Sequence, residues 1–411
     1  MKLSNLFTKT LREAPADEEA INAKLLIRGG FVFKNSAGIY SFLPLGWRVL
    51  SKIANMIREE MNAIGGQELL MPALVEKKYM EPTARWDLDV GYFAKLKEEK
   101  ESNFVLGWSH EEVLTSIASK FISSYKDLPF YAYQIQTKFR HEARAKSGLL
   151  RGREFMMKDL YSFHVDENDL NKYYEKVAKS YHKIFERCGL KAIYTLAAGG
   201  VFTDKFTHEF QVIADVGEDT IYVCNKCEYA ENKEISKFKG GDKCSKCGEG
   251  KIEEKKSIEV GNIFNQGTKY SEALGLQFSD ESGNKKPVIM GAYGIGLSRL
   301  MATAVEVYND DRGIIWPENI APFKIHLVVL DGKSKEADKV YSDLTKAGIE
   351  VLYDDRGDKT PGEKFADADL IGCPIRLVIS NKTLTQDSVE LKRRNQKDFK
   401  LIKLTEIVKS I

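Results

Sequence analysis

The sequence predicts an α+β protein with a separate α/β domain at its carboxy terminus and a small four-cysteine insertion. Three patterns carry that reading. Residues alternate with period two from Tyr133 to Arg140 and again from Arg153 to Asp159; Cys224, Cys227, Cys244 and Cys247 form two C-x2-C pairs; and the chain after Pro322 alternates strand, helix, strand, helix, strand.

A chain of 411 residues is too long for one core, so two or three domains are expected. The formal net charge is only +2, so contacts to nucleic acid would have to come from local basic patches such as residues 140 to 153. The amino end, MKLSNLFTKTLREAPADEE, lacks an apolar core, and no run of about 18 apolar residues occurs, which points to a cytoplasmic protein outside the membrane.

Residues 47 to 64 place Val49, Leu50, Ile53, Ile57, Met61 and Ile64 at helical spacing, with Gly65-Gly66 as the stop. QELLMP reads as a strand ending at Pro72. In the stretch 131 to 164, two strands flank a long basic loop. Gln134, Gln136, Lys138 and Arg140 share one face of the first strand, and Arg153, Phe155, Met157 and Asp159 share one face of the second. An arginine fork suits a phosphate and an aromatic ring suits a flat base; the other reading is an ordinary hairpin with a solvated basic face.

The two cysteine pairs are separated by 16 residues, the spacing of a zinc ribbon. Four thiolates fill a tetrahedral shell, so such a metal would be structural. The alternative is four reduced, unligated thiols. Cys188 and Cys373 have no spaced partner and read as small buried hydrophobes.

KPVIMGAYGIGLSRLMATAVEVY reads as a strand, a glycine-rich turn and a helix starting near Gly296. Gly294-x-Gly296-x-x-Arg299 fails as a dinucleotide fingerprint because position six is arginine. Beyond Pro322 come strand KIHLVVL, helix KEADKVYSDLTKAG, strand EVLYDD, helix GEKFADADLIG, strand PIRLVIS, two further strands, SVELKRR and KLIKL, and a short terminal helix. Lys392, Arg393 and Arg394 suit either nucleic acid or a solvated edge strand guarded by charge.

In order and spacing, SHEEVLT at 109 to 115, YQIQTKFRHE with GREFMMKDLYSFH, THEFQV at 207 to 212, GNIFNQGTKYSEALG, MGAYGIGLSRL and DDRGDKTPGEKFADADLIG resemble the class II aminoacyl-tRNA synthetases, and within them the bacterial-type prolyl enzymes. The resemblance covers nearly the whole chain. It implies an antiparallel class II sheet flanked by helices, with a first catalytic part at 1–223, the four-cysteine insertion at 224–256, a second catalytic part at 257–318 and an anticodon-binding domain at 319–411. It also implies a homodimer formed through the helix near Trp47 and the strand ending at Pro72.

The activity implied is that of a proline–tRNA ligase, with ATP, proline and tRNA(Pro) as substrates and Mg2+ as cofactor; Zn2+ would be structural. Arg140 would bridge the amino-acid carboxylate and the α-phosphate, and Arg299 would lie across the triphosphate. Phe155 would stack on adenine, with Glu142 and Arg151 near the nucleotide. Ser109, Glu111, Met157, Asp159, His208 and Glu209 are candidates for the proline pocket, and Arg144 and Lys146 for the tRNA acceptor end. The family usually carries Pro-Thr where this chain has Trp108-Ser109, and often histidine at the position of Asn262. Many bacterial members carry a long editing domain where this chain has only the cysteine segment. Two rival readings are another class II synthetase, such as the threonyl enzyme, and a catalytically silent tRNA-binding paralogue.

Overall fold

The computed structural model describes residues 1–143, 145, 147–330 and 335–411. It divides into one unit of Ser36–Ile39 and Ile53–Thr303, and another of Met1–Asn35, Tyr40–Lys52 and Ala304–Ile411.

The first unit is built on a nine-stranded sheet. Its spatial order is Thr207–Ile213, Ile193–Ala197, Ala230–Asn232, Asp219–Cys224, Ile252–Gly267, Ile289–Gly296, Glu154–His164, Phe130–Phe139 and Gln67–Glu68. Every pairing is antiparallel except Ala230–Asn232 with Ile193–Ala197 and Gln67–Glu68 with Phe130–Phe139. The 16-residue strand Ile252–Gly267 pairs with Asp219–Cys224 along its first part and with Thr207–Ile213 further on, so five strands close into a ring. One face of the sheet is covered by the helix Glu167–Arg187, capped by the Asp166 side chain, which accepts from Asp169 N at 2.8 Å. Its buried Leu170, Tyr173, Tyr174, Val177, Tyr181 and Ile184 recur at helical spacing and pack on the three central strands. The opposite face is covered in part by the short helix Glu111–Ala118, over a core that includes Trp108, Val113, Leu114, Tyr161 and Phe163. The uncovered part of that face is where the cavity lies.

Three local expectations are corrected. The strand read at QELLMP pairs only over Gln67–Glu68; after Leu69 N donates to Tyr133 O (2.9 Å), the Gln134 side chain takes over, accepting from Met71 N at 3.0 Å. The glycines of MGAYGIG lie within a strand, Ile289–Gly296, and not in a turn. At Gly291 the reason is visible: a Cβ would come within 2.4 Å of the Tyr293 hydroxyl. Lastly, the charged run at 392 to 394 is not on an edge strand, because Phe399–Lys403 lies outside it. Arg394 is buried and forks onto Asp310 at 2.6 and 2.8 Å, so a counter-ion inside the fold holds it.

The second unit contains a five-stranded sheet ordered Val351–Asp354, Ile325–Val329, Ile375–Ile379, Ser388–Arg393, Phe399–Lys403. Its first three strands are parallel and the last two antiparallel. The helix Pro361–Ile371 opens with a capping box between Thr360 and Glu363 and ends at Gly372, whose φ of 77° favours glycine. The final short helix is a 3-10 helix, Leu404–Lys409.

Candidate active site

Strand register assembles the cavity. Across the hairpin, Gln134 faces Asp159, Gln136 faces Met157 and Lys138 faces Phe155. The row continues over neighbouring strands, with Asp159 beside Gly294, Gly294 beside Asn262 and Asn262 beside Glu209. Residues paired in this way share a face. At Gly294 a Cβ would meet only Met157 Sδ, at 3.9 Å, so the missing side chain leaves open space. The result is a cavity of about 420 Å³, lined among others by Ser109, Glu111, Arg140, Phe155, Met157, Asp159, Glu209 and Arg299.

One end is acidic and tightly held. Ser109 Oγ bonds to Glu111 Oε2, and Arg85 reaches both, with Nη1 3.0 Å from Glu111 Oε2 and Nη2 2.9 Å from Ser109 Oγ. Arg85 Nη1 also contacts Glu112 at 2.9 and 3.1 Å, and its guanidinium lies 3.9 Å from the Trp108 ring centroid. Burial opposes the Arg85 charge, but the carboxylates of Glu111 and Glu112 more than offset it and the pKa rises. Gln266 Nε2 approaches the other Glu111 oxygen at 3.3 Å. Next to this cluster, Asp159 is engaged by Lys138 Nζ (2.9 Å), Gln134 Nε2 (2.9 Å) and Tyr161 OH (3.0 Å). Burial works to raise the Asp159 carboxyl, and Lys138 and His110 bring it below its ordinary value.

The other end carries the arginines. The Arg140 guanidinium lies 5.3 Å from the Phe155 ring centroid, and among the described residues its one hydrogen bond is a long one, 3.4 Å, to Trp108 O. Its Nε is shielded from solvent and has no acceptor among the described residues. Burial and then Arg299 lower the pKa of the Arg140 guanidinium. Arg299 is fixed by Leu150 O (2.8 Å) and Glu259 O (2.9 Å), with Glu259 Oε2 at 3.3 Å. Glu209 stands on the wall formed by the closed ring, accepting from Gln211 Nε2 (2.9 Å) and Asn232 Nδ2 (3.1 Å). Burial, with the charge of Glu259 next, raises its carboxyl to about 8.

Not every candidate arrives. His208 alternates to the face away from Glu209, where its Nδ1 meets Tyr174 OH at 3.0 Å and its ring stacks on Tyr194 at 4.1 Å; burial lowers its pKa to about 4. Glu142 pairs with Arg151 at 2.7 Å, and Arg151 with Glu218 at 2.7 Å, outside the cavity lining. Arg144 and Lys146 lie outside the described residues. In the other direction, sequence reasoning missed Arg85, Glu234 and Glu259, and gave Lys138 and Gln134 no role beyond a polar face.

The four cysteines meet as a cluster whose ligand atoms all lie within 4.8 Å of one another. Cys224 and Cys247 sulfurs are 3.7 Å apart, as are those of Cys227 and Cys244; a tetrahedron with metal–sulfur bonds of about 2.3 Å has edges of about 3.8 Å. Backbone N–H groups of Lys226, Lys246 and Gly250 donate to the sulfurs at 3.3 to 3.4 Å. Those of Glu249 and Gly250 pull the Cys247 thiol down to about 6. The donor set fits a structural zinc ion. Cys224 is also the last residue of a strand of the main sheet, which ties the cluster to the cavity wall.

Residues 93–308 match the tRNA synthetase class II core domain (G, H, P, S and T), and residues 320–411 match the anticodon binding domain. Proline–tRNA ligase of Desulforamulus reducens is 33% identical over 564 aligned positions, covering 100% of this chain and 99% of that protein. The Exiguobacterium sibiricum ligase is 35% identical over 560 positions, with 100% and 99% coverage. The chain belongs to the proline–tRNA ligase family. Solved structures support the fold at greater distance. The prolyl-tRNA synthetase of Cryptosporidium parvum, complexed with L-proline and AMP, superposes with a TM-score of 0.78 at 17% identity, over 95% of this chain and 73% of that one. The Giardia lamblia enzyme in complex with prolyl-adenylate gives 0.77 at 19%, over 93% and 74%. The proline–tRNA ligase family thus has the class II core and the anticodon-binding domain expected from the sequence. Among the described residues, no helix is long and apolar enough to cross a membrane.

Proposed function

We infer that this chain activates proline with ATP and transfers it to the 3′ end of tRNA(Pro). In the first step a proline carboxylate oxygen attacks the α-phosphorus and pyrophosphate leaves. In the second, a ribose hydroxyl of the terminal adenosine attacks the prolyl carbonyl carbon and AMP leaves. The observation that carries this reading is one cavity with a carboxylate end, Ser109 and Glu111, and an arginine end, Arg140 and Arg299, beside Phe155. Such transfers depend on positioning and on stabilising charge that builds on the phosphates, so no protein nucleophile is needed.

Arg140, with an Nε lacking an acceptor among the described residues, is the residue assigned to the carboxylate and α-phosphate, and Arg299 to the outer phosphates. Glu111 and Ser109 accept from the pyrrolidinium nitrogen, and Met157 supplies apolar contact. Glu209 belongs to the same pocket, whereas Asp159 acts through Lys138, Gln134 and Tyr161, which already engage its oxygens. Mg2+ would be held by the substrate phosphates with Glu259 oxygen, and supplies charge neutralisation when bound. The threonyl alternative, which needs a metal inside the amino-acid pocket, is disfavoured because no cysteine or histidine lines this cavity among the described residues.

The finer organisation belongs to the same proposal: catalytic segments 1–223 and 257–318, a zinc-bearing segment 224–256 and an anticodon-binding domain 319–411. The alignments of 560 and more positions exceed the 411 residues of this chain, which supports a form without the editing insertion. A homodimer is supported by Trp47, Leu70 and Leu74, apolar side chains left exposed on or near the segments expected to pair. A cytoplasmic location belongs to the same proposal.

Proline-dependent ATP–pyrophosphate exchange tests the reading. The wild-type protein should exchange with proline and not with threonine, and Arg140→Ala should lose about 100- to 1000-fold in rate. Full exchange by Arg140→Ala would refute the assigned mechanism. Rapid deacylation of Ala-tRNA(Pro) by the purified protein would refute the missing editing function.

A further inference from the structure

The first residues of the chain are fastened along the sheet of the second unit. Met1 N donates to Val351 O at 2.8 Å, Tyr353 N donates to Met1 O at 2.8 Å, and Lys2 pairs with Tyr353 as a parallel bridge. Ser4 N and Oγ donate to Asp355 at 3.0 and 2.8 Å, and Thr10 Oγ1 donates to Asp367 at 2.6 Å. This segment lies outside the stretch that matches the anticodon-binding domain, yet it is held against it.

Beside it runs a groove of about 530 Å³ lined by six cations, Lys9, Arg12, Arg28, Arg312, Arg356 and Lys359. Three acidic residues also line it, and each is taken: Asp367 by Arg356 (2.8 Å), Glu363 by Lys359 (3.1 Å) and Asp369 by Arg312 (3.0 Å). Lys9, Arg12 and Arg28 have no acidic partner among the described residues, and Arg28 Nε is buried without an acceptor there. The whole chain carries a formal charge of only +2, so three uncompensated cations in one groove are a local concentration. Their mutual repulsion works against folding, and a bound polyanion would relieve it. Lys9 and Arg12 are exposed and free to reach one.

We propose that Lys9, Arg12 and Arg28 bind the phosphodiester backbone of tRNA, so that the RNA-binding surface of this unit includes the amino-terminal segment. The proposal rests on tRNA being the substrate. Phosphate contacts position an RNA without reading its sequence, and each releases counterions on binding. They therefore leave a signature in salt dependence that loss of fold would not mimic.

The test is filter binding of a tRNA(Pro) transcript to the full chain and to Lys9→Ala/Arg12→Ala, over a range of salt. The variant should bind about tenfold more weakly near physiological salt, and the log–log salt slope should become shallower by about 1.5. Proline-dependent pyrophosphate exchange without tRNA should match the wild type. Wild-type binding with an unchanged affinity and slope in the variant overturns this inference alone. No tRNA binding by the wild type overturns the functional reading with it. Calorimetry with inorganic phosphate separates the sources of anion: tight phosphate binding together with unaltered tRNA binding in the variant would also overturn the inference.

Discussion

Arg85 Nη1 lies 3.0 Å from Glu111 Oε2, and both side chains are buried. Arg85 also bonds Ser109 Oγ and Glu112, so one guanidinium fixes both polar groups at the acidic end of the cavity. Removing one partner of a buried ion pair strands the other, at a cost of about 3–5 kcal/mol. Arg85→Met should therefore unfold at markedly lower urea. Arg85→Lys keeps the charge but loses the fork that touches three residues together. It should fold and raise KM for proline by about tenfold, with KM for ATP little changed. Equal rises in both constants would mean that Arg85 supports the fold and not the proline pocket.

The Glu209 carboxyl, raised to about 8 by burial and by Glu259, predicts a pH dependence of stability. Between its ordinary value of 4.5 and about 8 the folded state keeps the proton that the unfolded chain has lost. Stability should fall as pH rises through that window and level off above it. Integrated over that window, the effect is roughly 5 kcal/mol. Glu209→Gln, isosteric with the protonated acid, should remove this part of the slope. Urea melts of the two proteins at pH 5 and pH 8.5 measure it; parallel profiles would show that Glu209 ionises normally.

What the sequence revealed follows from where pattern and role coincide. The period-two alternation from Gln134 to Arg140 set the shared face correctly, and the paired register brought Phe155, Met157 and Asp159 onto it. The same pattern concealed the burial of Lys138 and Gln134, because alternation marks faces and does not say what covers them. His208 and Glu209 are neighbours in sequence, and only strand parity separates a half-buried histidine stacked on Tyr194 from a cavity carboxylate. Arg85 sits in EPTARW, with no periodicity or motif to mark it; its role comes from residues 24 to 27 positions away. The cysteines were legible because ligand spacing is a local property.

The cysteine cluster should be coupled to the cavity. Asn232 Nδ2 donates to Glu209 at 3.1 Å and Ala198 N donates to Glu234 at 3.2 Å, and Asn232 and Glu234 both belong to the segment that leaves the first cysteine pair. Metal analysis of protein kept reduced and unchelated should give one zinc per chain. Stripping the metal, or Cys247→Ser, should increase hydrogen exchange over residues 224–256 and at Ala198. Exchange confined to the cysteine segment would uncouple it from the cavity wall.

Lys138 and Asp159 form a buried ion pair at 2.9 Å on the floor of the same cavity. Its worth is tested best by a double-mutant cycle, because removing one charge and removing both have opposite expected effects. Lys138→Met leaves the Asp159 carboxylate with only the Gln134 and Tyr161 donors, and should cost about 3–5 kcal/mol. Its carboxyl, now without the lysine, should also take up a proton at higher pH, so the loss should be smallest in acid. Lys138→Met combined with Asp159→Leu should recover part of that stability, since neither charge of the pair is left without its partner, although the Gln134 and Tyr161 donors lose their acceptor. Adenylate formation is the readout that separates structure from chemistry. If the double variant folds well but exchanges pyrophosphate poorly, the pair holds the cavity floor in its working shape; full activity would limit it to a role in folding.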